Sequence, residues 1–399
     1  MRYTLAFLLL AAACASGEAE PNPSTTASSS PASTSPPSTT RTDDLPSRLV
    51  AVTGRWSTDF TKASIDLDEL LVGIAAADPR DLIPPLDDPK FDDIAGGEAW
   101  LEDQEPGVLV VFGDEDRFYP LAILTRHEIV NDRFGSQPVV ITYCPLCNTA
   151  LAFDPTVDGN VLRFGVSGLL RNSDLVMWDD RTESLWQQIS GEAIVGALTG
   201  TRLQTIGSAI VRWADFRTTH PDGLVLSRDT GYSIAYGANP YVGYSSRTQP
   251  YPLFRGDIDD SHPALERVVG VSVGGSDKAY PFSRLSRARA VNDSLNGIPV
   301  AVLWGAPDTS DALDSFDVAL GAGIGTGIAF FATVDGQALE FTPTDDDRFI
   351  DSNTGSTWTL LGEAIDGPLE GSRLELAPHR NEFWFAWQAF FPDALVWEG

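Results

Sequence analysis

Residues 118–140 contain Phe118-Tyr119-Pro120-Leu121, then Val130-Asn131-Asp132, then Pro138-Val139-Val140. The series returns as Ala279-Tyr280-Pro281-Phe282, Val291-Asn292-Asp293 and Pro299-Val300-Ala301. A register kept over such a length reads as one unit present twice. Working outward, Val157-Asp158-Gly159 matches Val334-Asp335-Gly336, Ser184-Leu185-Trp186 matches Ser356-Thr357-Trp358, and Gly191-Glu192-Ala193-Ile194 matches Gly362-Glu363-Ala364-Ile365. Residues 198–203 match 369–374, Trp213 matches Trp384, and His220-Pro221-Asp222 matches Phe391-Pro392-Asp393. Copy one then spans 98–228 and copy two 266–399, with a Gly/Tyr/Pro-rich connector at 229–265 and a lead-in at 47–97. Short β-branched and aromatic runs at 138–143, 161–166, 175–178 and 328–332, broken by Gly, Asp and Pro, predict strands. Helical spacing is clearest at 123–131 and 382–391. The expected fold is α+β and β-rich, built as two tandem pseudo-symmetric repeats.

What the copies do not share points to a site. Cys144 falls opposite Gly305, His127 opposite Ala288, Glu128 opposite Arg289 and His220 opposite Phe391, and copy one has extra residues at 168–174. Reactive groups that are missing together from copy two mark it as the degenerate copy. Cys144, Cys147 and His127 are therefore the candidate catalytic residues, supported by Glu128, Asn172, Asp174 and His220. His127 sits on the predicted helix just before the strand that delivers Cys144. Bland readings compete at three positions: His220 in a His-Pro-Asp-Gly turn, and Asn172 and Asp174 as turn formers.

Cys144 and Cys147 bracket Pro145-Leu146. A ring this short restrains the unfolded chain far less than the long loops tied by structural disulfides, so the pair is better explained by chemistry than by stapling. With Pro145 suited to a first helical position, Cys144 is expected at a helix start, where unsatisfied N–H groups lower a thiol pKa. Cys144 would be the nucleophile and Cys147 its resolving thiol, in a thiol-dependent oxidoreductase acting by thiol–disulfide or peroxide-type chemistry with a protein partner. The alternative is Cu(I) or Zn(II) held by Cys144, Cys147, His127 and His220. A third reading is a non-catalytic module that binds a ligand or partner.

The third cysteine, Cys14, follows a short basic start, an apolar run at 5–10 and Ala11-Ala12-Ala13. Residues 1–14 read as a lipoprotein signal with Cys14 the lipidated first residue, although Ala11 stands where Leu is commoner; an ordinary signal cleaved near Ala13 or Ser16 is the competing reading. Residues 15–46, rich in Ser, Thr, Pro and Ala, cannot bury enough surface to offset the entropy of ordering and read as a disordered tether. The expected place is extracytoplasmic, anchored to the cell membrane through the lipid. With 56 acidic against 27 basic residues and a formal charge of −29, the chain should repel nucleic acid.

The strings at 127–132 (HEIVND), 143–153 (YCPLCNTALAF), 165–179 (GVSGLLRNSDLVMWD), 184–188 (SLWQQ), 220–233 (HPDGLVLSRDTGYS) and 383–393 (FWFAWQAFFPD) resemble the family catalogued as domain of unknown function 3179. The resemblance covers nearly everything from 97 to 397. It implies an exported, often lipid-anchored protein with Cys144 and Cys147 at the family's Cys-Pro-Leu-Cys motif, and its selenocysteine-bearing relatives favour redox chemistry. Asn148 and Arg126 depart from the common Gly after the motif and aromatic before the His.

Overall fold

The structure, a computed structural model, describes residues 45–113 and 115–399. The signal segment with Cys14, and the tether through residue 44, lie outside the described residues. Alternation of buried and exposed side chains is weak in the central strands. Leu109, Val139, Val140, Ile141 and Phe153 are all buried, because most strands are covered on both faces.

From residue 70 to 226 three five-stranded sheets form. The first runs Leu70–Val72, Phe164–Arg171, Asp174–Asp179, Leu185–Gln187, Glu192–Val195; the second Gln204–Ile206, Thr149–Asp154, Gln137–Cys144, Ile129–Phe134, Leu86–Asp87. The third runs Ser208–Arg212, Pro106–Phe112, Glu115–Pro120, Leu224–Leu226, Phe91–Asp92. The lead-in is thus woven in, contributing an edge strand to each sheet.

After residue 266 the sheets are smaller: His379–Phe383, Arg267–Val273, Ser276–Pro281, Leu395–Val396; then Ala290–Leu295, Ile298–Gly305, Thr326–Phe331; then Phe341–Pro343, Phe349–Asp351, Thr357–Trp358, Ala364–Asp366. The architecture is β-rich, as expected. Its helices are short; Leu121–His127, Trp213–Thr219, Phe282–Ala288 and Trp384–Phe390 have seven residues each, too few to persist alone, so packing of residues such as Leu124, Phe216 and Trp387 holds them.

Polar side chains join the layers. Asn131 donates to the Phe164 carbonyl at 2.8 Å and accepts the Phe164 N–H at 2.9 Å. Asn292 does the same to Phe341, at 3.0 and 2.7 Å. Asp179 gathers the Thr182 N–H at 2.7 Å and Trp186 Nε1 at 3.0 Å, and Asp351 gathers Thr354 N–H at 2.6 Å and Trp358 Nε1 at 2.9 Å. Each carboxylate ties a turn to a buried indole.

Three local expectations need correction. The helix expected at 123–131 is Leu121–His127; Glu128, with φ of +61°, reverses the chain, and the residues from Ile129 pair as strand Ile129–Phe134. Arg289 makes the same reversal at φ +58°, so the uncommon conformation belongs to the helix-to-strand turn itself. The helix expected at 382–391 is confined to Trp384–Phe390 because Phe383 completes a strand against Arg267. The run 161–166 is split between Asn160–Val161 and Phe164–Arg171. A bulge then bends the latter strand between Val166 and Leu169 at Gly168, whose φ is +76° and where a Cβ would lie 2.5 Å from Pro79.

Candidate functional site

Strand Gln137–Cys144 pairs antiparallel with Thr149–Asp154, and Cys144 faces Thr149 as the last rung. Pro145-Leu146-Cys147-Asn148 is the hairpin turn between them, closed by Asn148 N–H to the Pro145 carbonyl at 3.3 Å, with Asn148 at φ +56°. No helix begins at Cys144, contrary to expectation: Pro145 has a fixed φ that suits a turn as well as a helix start, and the ladder reaching Cys144 selects the turn.

Facing this turn is a second one. Asn172 and Ser173, both at positive φ, reverse the chain between Phe164–Arg171 and Asp174–Asp179. The turn puts the Ser173 carbonyl 3.6 Å from Cys144 Sγ and brings Asp174 to the two sulfurs. One ligand atom from each of Cys144, Cys147 and Asp174 lies within 4.8 Å of the others. Both thiols are free.

All three residues are buried, Cys144 at 2 % exposure and Cys147 and Asp174 at 0 %. Asp174 Oδ2 accepts Gln187 Nε2 at 2.5 Å and Ile189 N–H at 3.0 Å, whereas its Oδ1 is buried without a hydrogen-bond partner. Burial pushes this carboxyl up to about 7 against the pull of those donors. Burial also raises Cys144, and it raises Cys147 well above the ordinary thiol value. The expected activated thiolate is therefore reversed, since neither a helix terminus nor a cation offsets the desolvation.

Two further carboxylates stand close. Glu128 is pushed up to about 8 by burial, with the Asp174 charge adding to the rise, and accepts Tyr241 Oη at 3.2 Å. Glu382 is fully buried and pushed up to about 7 by burial, although Arg380 Nε is 2.9 Å from its Oε1. The strand of Glu382 reaches the hairpin directly: Phe383 N–H donates to the Cys147 carbonyl at 2.9 Å. The connector supplies Tyr244, whose Oη donates to the Leu146 carbonyl at 2.8 Å.

The histidines go elsewhere. His127 is buried, with Nδ1 2.6 Å from the Pro84 carbonyl and Nε2 2.6 Å from Tyr236 Oη, so both ring nitrogens are engaged and neither joins the sulfurs. His220 Nδ1 lies 2.8 Å from Asp116 Oδ2, in a cluster with Glu363 and Arg373. The structure thus separates the expected Cys144/Cys147/His127/His220 ligand set; Asp174 stands with the thiols instead. Asn172 serves the turn. Sequence reading missed Glu382, Tyr241 and Tyr244. For Glu382 a signal existed: an acid at the head of the aromatic-rich run from Phe383 to Phe391.

A family model described as Protein of unknown function (DUF3179) matches residues 80–394. The chain belongs to that family. No curated protein and no solved structure gives a match. In this DUF3179 protein the Cys-Pro-Leu-Cys motif forms the hairpin turn just described. Among the described residues no helix is long and apolar enough to cross a membrane.

Proposed function

We propose that this protein binds a divalent metal of the Zn(II) class through Cys144, Cys147 and Asp174. The observation that carries the reading is the convergence of two free thiols and a carboxylate whose second oxygen is buried without a partner. Buried polar atoms are normally satisfied, and a cation is the partner that two thiols and a carboxylate share. The carboxylate disfavours Cu(I), which prefers thiolate and thioether donors, and suits the borderline Zn(II). Glu128 and Glu382 stand near the group as buried carboxyls that would release their protons more readily beside a bound cation. Bound there, such an ion would stabilise the hairpin against the Asn172-Ser173 turn and leave room for Lewis-acid chemistry if a coordination position stays open.

The reading includes two tandem copies of one unit. The strand order Ser208–Arg212, Pro106–Phe112, Glu115–Pro120, Leu224–Leu226 parallels His379–Phe383, Arg267–Val273, Ser276–Pro281, Leu395–Val396. Asp132 takes Tyr119 Oη at 2.5 Å and Arg117 at 2.6 Å, as Asp293 takes Tyr280 Oη at 2.8 Å and Lys278 at 2.7 Å. On this reading copy two meets the same need with a protein cation: Arg289, opposite Glu128, pairs with Asp347 in the loop opposite Asn172-Ser173.

Metal-free protein reloaded with Zn(II) or Cd(II) tests the site. One ion per chain, ultraviolet thiolate-to-Cd(II) absorption, and loss of both in Cys144→Ser/Cys147→Ser support it. Failure of the parent to retain either ion removes it.

The contact between the two free thiols favours a second reading, thiol–disulfide exchange, in which Cys144 and Cys147 become a disulfide, lose two protons and reduce a partner's disulfide. Their burial requires the surrounding loops to open first. Reversible closure of the pair in metal-free protein under graded dithiol/disulfide mixtures tests it. Export and membrane anchoring through lipidated Cys14 complete the proposal; the mass of the mature N-terminal peptide decides between a lipidated Cys14 and simple cleavage.

A further inference from the structure

A cavity of about 310 Å³ opens between strands of the two sequence copies, within the span of roughly 300–1,000 Å³ common to small-molecule sites. Leu109, Ile328 and Leu376 contribute to a largely apolar wall, while His220, Glu363 and Arg373 give it one polar end. The imidazole of His220 is 4 % exposed and packs on Phe216, their ring centroids 5.3 Å apart. Asp116 holds its Nδ1 at 2.8 Å, and its Nε2 is buried with no hydrogen-bond partner.

That arrangement has a chemical direction. In the tautomer that gives its Nδ1–H to Asp116, the ring carries a lone pair at Nε2, which takes an O–H or N–H donor. An unpaired buried acceptor is unfavourable until a partner arrives. The polar end holds two carboxylates, Asp116 and Glu363, around one guanidinium: Arg373 lies 3.2 Å from the first and 2.7 Å from the second. A ligand carboxylate would meet an excess of like charge there. An ammonium would have to give up its water for a wall that is largely apolar, while Arg373 already stands between the two carboxylates.

We propose that this cavity binds a small, largely apolar, uncharged molecule whose hydroxyl donates to His220 Nε2. The site is separate from the cysteine pair and does not depend on a metal. Phe391 stands opposite His220 in the second sequence copy, so this polar demand belongs to the first copy alone.

The test uses full-length protein carrying isotopically labelled histidine; with only four histidines in the chain, the His220 Nε2 resonance can be assigned by substitution. Hexanol should move that resonance saturably, and hexyl methyl ether, lacking the donor, should bind at least about tenfold more weakly. His220→Phe should weaken hexanol binding about tenfold. Should that variant misfold, Ile328→Trp, which adds bulk to the apolar wall of the cavity, should abolish binding. No saturable shift with hexanol, equal affinity for the ether, tighter binding of hexylamine or hexanoate, or unchanged binding in Ile328→Trp would each overturn the proposal.

Discussion

Arg289 Nη2 lies 2.6 Å from Asp347 Oδ1, and Arg289 precedes Val291-Asn292-Asp293 by the same two positions as Glu128 precedes Val130-Asn131-Asp132. Asp347 Oδ2 also accepts the Ala306 N–H at 3.2 Å, so this loop acid is satisfied within the protein. Asp174, beside the Asn172-Ser173 turn, keeps one oxygen without a partner and has Glu128 as a neighbour instead of an arginine.

Glu128→Arg should therefore replace a metal by a guanidinium. The variant is expected to bind Zn(II) at least about tenfold more weakly, a loss of about 1.4 kcal/mol, and to melt higher than the metal-free parent. Calorimetric titration and thermal unfolding check the two parts. A variant that binds Zn(II) as the parent does would detach Glu128 from the site.

Metal and stability should be linked. A ligand at one hundred times its dissociation constant stabilises the native state by about 2.7 kcal/mol, which corresponds to a rise of several degrees in Tm. Asp174→Asn should cut this Zn(II)-dependent gain and Cys144→Ser/Cys147→Ser should remove it, while both variants stay folded without metal. The measurement is a Tm series against free Zn(II).

Stability of the metal-free protein should fall as pH rises. Burial pushes Glu105 up to about 7 from an ordinary value of 4.5, with Asp317 and Glu102 adding to the rise and the Glu102 N–H and Arg228 opposing it. The folded state then holds a proton that the unfolded state has already released, so the contribution is intact below about 4.5 and is lost as pH passes 7. Asp174, Glu382 and Glu128 act in the same direction. Glu105→Gln should flatten the decline between pH 5 and pH 8 by on the order of 2–3 kcal/mol, read from urea unfolding at each pH. A slope identical to the parent's would mean that Glu105 is ionised without cost.

Asn131→Ala and Asn292→Ala should each cost roughly 1–3 kcal/mol, because each leaves one backbone N–H and one carbonyl of the neighbouring strand unpaired. Similar losses at the two sites would indicate equivalent joints. Denaturant midpoints at constant m-value supply the comparison.

Much of this molecule is legible locally. Runs such as Pro138-Val139-Val140-Ile141 report strands because β-branched side chains favour the pleated, buried surface. The recurrence of Val-Asn-Asp marks positions whose side chains do the same work at Phe164 and Phe341. The nearness of Cys144 to Cys147 follows from covalent spacing alone, and Asp174 ends the 168–174 stretch, which has no counterpart where the Tyr-Pro and Val-Asn-Asp strings recur.

The environment of the pair was not legible. Pro145 is compatible with a helix start and with a hairpin turn, and only the ladder formed with Thr149 and its successors selects the turn. His127 and His220 carry no local mark of their partners, Tyr236 and Asp116, which are 109 and 104 residues away in sequence. Glu382 reaches Cys147 from more than two hundred positions along the chain, because strand His379–Phe383 packs against the hairpin. By itself, the sequence determined the strand-rich fold class, the family and the thiol pair, all set by short-range spacing and side-chain type. Only the tertiary structure decided that the thiols are buried, raised in pKa and faced by carboxylates rather than histidines, since desolvation and charge proximity depend on which distant segments close over them.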